Sequence, residues 1–343
     1  CAGLIHDIGN PPFGHFGELA IREWFVRNLP KLTFCGQKVE EMLDEQMKED
    51  FFHFEGNAQA LRLVTKLHYL VDEHGMNLTY ALLGTIMKYP VPSTGIDPEG
   101  GDIRNRKMGY YRADEETFRK ITEATGTGDR RHPLAFILEA ADDLAYKTAD
   151  IEDAFVKGFI TYSALERELK TLGEDSAGCA FHPLEKLRQL YERGMSKSVD
   201  NPESYAVKNW IVRAQGFLIS CATYGFTSNY DAIMEGSFGK DLFYGTYGEK
   251  LMELLGDMAY RYVFSSRAIY KMELTESAIL DFLMDRLVRA VLYYDTDVHQ
   301  DAIDSRVVSF ISDNYKNAYR LQAEGRSEPE RLYLRLLLVT DYV

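Results

Sequence analysis

Helical periodicity runs through almost the whole chain and constrains its fold more than any other feature. Residues 18–28 place Leu19, Ile21, Trp24 and Phe25 at helical spacings. Residues 54–73 do the same with Ala58, Leu61, Val64, Leu67, Tyr69 and Leu70. In 274–294, Ile279, Leu283, Leu287 and Val291 stand four apart, and 305–324 and 328–340 repeat the behaviour. Spacings of three and four gather each apolar set onto one helix face, where it can be buried. Polar residues ahead of such runs predict helix starts: Asn77 before Leu78, Asp114 before Glu115 and Glu116, and Thr275 beside Glu276. No sustained alternation of apolar and polar residues appears, so few or no strands are expected. The pattern predicts an all-α fold, with a core over 1–200 and a helical extension over 201–343 packed on it.

Three stretches interrupt the periodicity. Residues 89–112 hold three prolines, four glycines and four cations, too much for an idle connector, which points to a functional loop. Residues 173–183 read as a second break, and 225–248 are rich in Gly, Ser and Tyr. A chain of 343 residues buries roughly 75% of its unfolded surface, so folding requires neither metal nor disulfide. The net charge of −14 counts against a surface that embraces nucleic acid, but not against a small anion held in a local basic pocket. Cys1, Cys35, Cys179 and Cys221 lie far apart, which is cytosolic usage rather than a disulfide frame or zinc knuckle. The longest apolar runs fall well short of a membrane span, and no signal peptide is visible. The sequence opens on Cys1 and an apolar stretch, and is expected to be part of a longer protein.

Residues 6–18 read HDIGNPPFGHFGE. Gly9 and the prolines are expected to end a helix whose last turn carries His6 and Asp7. Imidazole and carboxylate suit a divalent transition metal, although a histidine near a helix C-terminus is also favoured by the helix dipole alone. His15 follows in a glycine-flanked loop, and Glu18 opens the next helix. So much unpaired polarity in so short a turn does not suit a core.

The second constellation lies in EAADDLAYKTADIEDAF, 139–155. Asp142, Tyr146 and Asp150 fall at i, i+4 and i+8, on one helix face, with Glu139 joining the stripe and Leu138, Ala141 and Ala145 flanking it. Asp143 points about 100° away, so Asp142 is the inward carboxylate. A solvated acidic face would have the same spacing.

These residues carry a family resemblance. HDIGNPPFGHFGE, FEGNAQALRL (54–63), MKYP (87–90), KMGYY (107–111) and EAADDLAYKTADIEDAF stand in the order found in the deoxyguanosinetriphosphate triphosphohydrolases, HD-domain metal-dependent phosphohydrolases. The similarity runs from residue 1 to about 155 and continues more weakly to the end. It implies an HD-domain helical bundle that hydrolyses a deoxynucleoside triphosphate, dGTP foremost, to deoxynucleoside and tripolyphosphate. The metal set it implies is His…His-Asp…Asp. His6, Asp7 and Asp142 match its last three members, and the first histidine is expected upstream of Cys1. The cofactor would be a divalent cation, Mn or Mg first, with Fe, Co and Zn admitted by the same ligands.

The resemblance further assigns His15 and Glu18 as a catalytic pair. Attack on the α-phosphorus would come from a metal-activated water or from His15. Lys88, Tyr89 and Lys107 match phosphate-contacting positions, and Tyr146 and Asp150 match positions facing the deoxyribose. Asn57 is a polar contact or simply part of a capped helix start. Arg104 and Arg106 are as well explained by a solvated loop. The family implies a cytoplasmic homo-oligomer, often a hexamer. Single-stranded DNA, bound by some relatives, is disfavoured by the negative charge. Two other readings stand beside this one: another HD-type nucleotide phosphohydrolase, or a non-catalytic dNTP-binding regulator.

Overall fold

A computed structural model describes residues 1–68, 74–173 and 181–343. Among them the fold is all-α. The only paired strands among the described residues are Thr33–Phe34 and Gln37–Lys38, an antiparallel hairpin turned by Cys35 and Gly36, both at positive φ. No helix among the described residues is long and apolar enough to cross a membrane. The helices form two compact units. One comprises Cys1–Ala135 with Glu273–Val343, and the other Phe136–Met272. Both seams fall inside helices, Pro133–Val156 and Arg267–Leu292, and neither lies at residue 200.

The first unit is built on the apolar face of Gly14–Asn28. Ile21, Trp24 and Phe25 from that helix enter one cluster with Phe51, Met284, Leu287 and the run Leu336, Leu337, Leu338 and Val339. Phe25 stacks on Phe51 at 4.5 Å, and Phe51 meets the Tyr333 ring edge-on at 5.5 Å. The helix Glu328–Tyr342 begins with a full capping box, Ser327 with Glu330, and runs through the centre of this core. In the second unit Pro183–Ser196 packs along Pro202–Ser228, burying Leu187, Leu190, Val207, Trp210 and Ile211. The Trp210 indole donates to the Pro183 carbonyl at 2.8 Å.

Several boundaries differ from the periodic reading. Residues 305–324 are two helices, Ala302–Phe310 and Asp313–Ala323, because Ile311 is extended and Ser312 caps the second. The helix after residue 77 starts at Tyr80, capped by Thr79, while Asn77 takes a left-handed turn at φ 49°. Thr275 lies within Arg267–Leu292 and starts nothing. Asp114 occupies a cap position, but its buried carboxylate is engaged by Lys66 at 2.8 Å and Arg62 at 3.4 Å. The helix expected over 54–73 is α over Gly56–Arg62 and widens to a π turn over Leu63–Leu67; 69–73 lie outside the described residues, as do 174–180 of the second break.

Asp50 knots three parts of the first unit together. Its carboxylate accepts from Ser93 Oγ at 2.6 Å, from the Arg112 amide at 2.8 Å and from the Tyr333 hydroxyl. Burial pushes its pKa up to about 7 against the opposing pull of those donors. The unfolded chain releases this proton near pH ~4, the folded chain only near 7. Asp50 therefore contributes less to stability as pH rises through that window, and no less beyond it. Asp50→Asn removes the titration. Measured by urea unfolding between about pH 5 and about pH 8, the wild type should lose about 2–4 kcal/mol relative to the variant. A difference that stays constant with pH would refute the assignment.

Candidate active site

The short helix Ala2–Ile5 ends at His6, and the chain then turns through Asp7. His6 Nδ1 lies 3.0 Å from the Gly3 carbonyl, to which it can only donate. That fixes the tautomer and turns the Nε2 lone pair outward, 3.3 Å from Asp7 Oδ2. Two acceptors at this separation are a stable arrangement only around a shared cation or proton. A divalent ion fits: at ligand distances of about 2.0–2.2 Å, neighbouring donors stand roughly 3 Å apart. His6 is mostly buried, and Asp7 is exposed.

His15 and Glu18 both belong to the helix Gly14–Asn28. The glycine-flanked loop expected around His15 is therefore helix, its first turn entered through Phe13 at φ 70°. The i, i+3 spacing stacks the two side chains, with His15 Nδ1 3.3 Å from Glu18 Oε2. The imidazole is 74% exposed and the carboxylate 4%, so an exposed ring is held by a buried partner. Glu18 Oε1 accepts from the Gly56 amide at 2.8 Å. Only glycine serves at 56, since a Cβ there would stand 2.9 Å from that oxygen and 2.4 Å from Asn10 Oδ1. The Glu18 hydrogen bond raises the pKa of His15; burial and Lys107 oppose it, and the charges of Glu18 and Glu55 add to it. Burial pushes Glu18 upward, but His15, Lys107, the Gly56 amide and Arg22 together hold it below the usual range.

A second buried carboxylate, Glu55, stands beside this pair. Lys107 Nζ lies 3.0 Å from each of its oxygens, Arg22 Nη2 3.0 Å and Asn57 Nδ2 2.7 Å away. Arg22 also donates to the Phe54 carbonyl at 2.6 Å and approaches Glu18 at 3.4 Å. The Asn57 Oδ1 atom is buried without a hydrogen-bond partner among the described residues. His15, Glu18, Asn57 and Lys107 are thus brought together.

Lys88 and Tyr89 are buried just beyond the helix Tyr80–Ile86. The KMGYY segment lies directly against them: the Gly109 amide donates to Val91, and a Cβ on Gly109 would stand 1.6 Å from the Tyr89 carbonyl. The buried Arg131 guanidinium lies 5.9 Å over the Tyr89 ring. Arg104 is held by Asp102 through its Nε at 2.8 Å.

In the second unit, Asp142, Tyr146 and Asp150 lie along Pro133–Val156. Asp142 and Asp143 are both half-buried, so burial does not separate them. The Tyr146 ring runs parallel to Phe264 at 6.3 Å, 7° from coplanar. Burial pushes the Tyr146 hydroxyl up to about 12, with Asp150 and then Asp142 adding to the shift. Burial also raises Asp150, and one of its oxygens, Oδ2, is a buried acceptor without a partner.

The whole chain is 43% identical to a deoxyguanosinetriphosphate triphosphohydrolase-like protein of Listeria monocytogenes, covering 73% of it. It is 31% identical to the deoxyguanosinetriphosphate triphosphohydrolase of Yersinia enterocolitica, covering 74% of that protein. No family model matches the chain. The chain belongs to the deoxyguanosinetriphosphate triphosphohydrolase family.

A triphosphohydrolase of this family implies a divalent cation, which the donor geometry of His6 and Asp7 accommodates. Three residues of this family member's first unit escaped the sequence reading: Arg22, Glu55 and Arg131. A signal for Arg22 was present, because it stands four after Glu18 and seven after His15, on the same helix face. Glu55 had a fainter one. It occupies the N-cap position of Gly56–Arg62, where glutamate is a poor choice unless its side chain is used elsewhere. Nothing local distinguishes Arg131 from Arg130.

Proposed function

We propose that the chain hydrolyses deoxynucleoside triphosphates, dGTP foremost, to deoxynucleoside and inorganic tripolyphosphate. The His15–Glu18 pair carries this reading: an exposed, proton-rich imidazole held by a buried carboxylate, with a lysine beside it. Release of the deoxynucleoside breaks the bond between the α-phosphorus and the 5′-oxygen. The departing oxygen needs a proton, and a histidine whose pKa is raised by its bond to Glu18 is suited to supply it. Glu18 orients the ring and stabilises its charged form. Lys107 and Lys88, with Tyr89, are assigned to the polyphosphate; ammonium groups suit it as point charges.

His6 and Asp7, with Asp142 as a further ligand, would hold the divalent cation, Mn or Mg first. When bound it supplies Lewis acidity toward the α-phosphate. Tyr146 and Asp150 are assigned to the deoxyribose. Phe264 backs the Tyr146 ring, and a ring so supported excludes a 2′-hydroxyl by shape. The unpartnered oxygens of Asn57 and Asp150 suit donors from the substrate. A cytoplasmic homo-oligomer, a hexamer by family likeness, completes the proposal.

The test is product analysis on the four dNTPs and GTP, with Mn and Mg supplied. Tripolyphosphate from dGTP, with little from GTP, is the expected result. Orthophosphate or pyrophosphate would point to another nucleotide phosphohydrolase. Binding without turnover would point to a regulator.

A further inference from the structure

Glu55 is almost fully buried, and it is the carboxylate on which separate pieces of the proposed site converge. Arg22 comes from the helix that carries His15 and Glu18, Lys107 from the cationic loop, and Asn57 from the turn that gives its amide to Glu18. A buried carboxylate needs a cation, and Arg22 already meets that need. It is itself tied to Phe54 and to Glu18. Lys107 is therefore more than Glu55 requires for its own burial. Its side chain is 30% exposed, yet its ammonium lies at 3.0 Å from both carboxylate oxygens instead of ranging through solvent. The same carboxylate holds the Asn57 amide, whose other end is the unpartnered buried acceptor.

We propose that Glu55 is a positioning residue: acting through Lys107, it holds an ammonium in a fixed place beside the His15–Glu18 pair. The inference rests on the reading that Lys107 meets the triphosphate. It makes a distinctive demand. Neutralising Glu55 releases the full charge of Lys107, so a polyanion should bind as well or better. The ammonium, no longer aimed, serves the reaction worse. Ground-state binding and turnover should therefore separate.

The experiment is a double-mutant cycle on the full chain with Glu55→Gln and Lys107→Met. Each variant is assayed for release of tripolyphosphate from dGTP, for affinity toward inorganic tripolyphosphate, and for melting temperature. Glu55→Gln should lower kcat by about 30-fold with KM unchanged or lower. In the Lys107→Met background the same substitution should change kcat by less than about threefold. An equal factor in both backgrounds, or a loss carried by KM alone, would overturn the proposal. Should Glu55→Gln fail to fold, Glu55→Gln with Arg22→Gln, compared with Arg22→Gln alone, removes charge at both ends of the internal pair and asks the same question. The tripolyphosphate arm needs no turnover. If the wild type hydrolyses no dNTP, the activity reading fails, and this arm still decides whether Glu55 acts through Lys107.

Discussion

Replacing His15 with asparagine is expected to lower turnover of dGTP by about 10²–10⁴-fold, with far less effect on nucleotide binding. Asparagine keeps a polar group at the position but cannot carry the proton. The pH profile gives the stricter test. The pKa of His15 is raised by its bond to Glu18, so the charged imidazole persists to higher pH than a free histidine's. If that charged form is the acid, turnover falls as pH rises through the raised pKa. Glu18→Gln removes both the bond and the charge that raise it. The alkaline fall should then move toward the ordinary histidine range of about 6.5, and the maximum rate should drop. A Glu18→Gln profile that keeps its alkaline limb in place would exclude His15 as the group observed. A His15→Asn enzyme with near-normal kcat would exclude it from the chemistry altogether.

The all-α class could be read from the sequence because it depends on local spacing, whereas the pairing of His15 with Glu18 came from the family resemblance and its contact from the helix. His15 and Glu18 are three apart, and a helix converts that interval into contact whatever surrounds it. Asp142, Tyr146 and Asp150 share a face for the same reason. Glu55 lay outside such reasoning. Its importance comes from Arg22 and Lys107, which stand 33 and 52 residues away in sequence and reach it only through the tertiary fold. The misplaced starts have a related cause. Asn77 and Thr79 are both acceptable caps by residue type, and backbone geometry decided for Thr79. The loop expected at His15 failed differently. Gly14 and Gly17 suggested a break, yet Gly17 lies in the helix, where its missing side chain leaves room for the Pro12 carbonyl; a Cβ there would stand 2.0 Å from it.

The helix that brings Gly56 and Asn57 to the site is anchored at its other end by Arg62. This side chain is almost fully buried; its Nε lies 2.6 Å from Asp341 Oδ1 and its Nη2 2.8 Å from Oδ2. Gln322 at 3.1 Å and Asp114 at 3.4 Å engage its remaining nitrogen, and Gln59 supports Asp341 at 3.0 Å. Arg62→Met should cost about 3–5 kcal/mol of stability, because it strands Asp341 in the core without its counter-charge. The figure describes that abandoned charge more than the attraction it had enjoyed. Removing both partners, Arg62→Met with Asp341→Leu, should therefore cost less than the sum of the two single changes by at least about 1 kcal/mol. The two tryptophans make the measurement specific, since Trp24 lies in the first unit and Trp210 in the second. Urea unfolding followed by Trp24 fluorescence in a Trp210→Phe background reports the unit that contains Arg62. Additive losses would mean that Arg62 and Asp341 do not act as a pair. A loss of activity at full stability would instead place Arg62 in the chemistry.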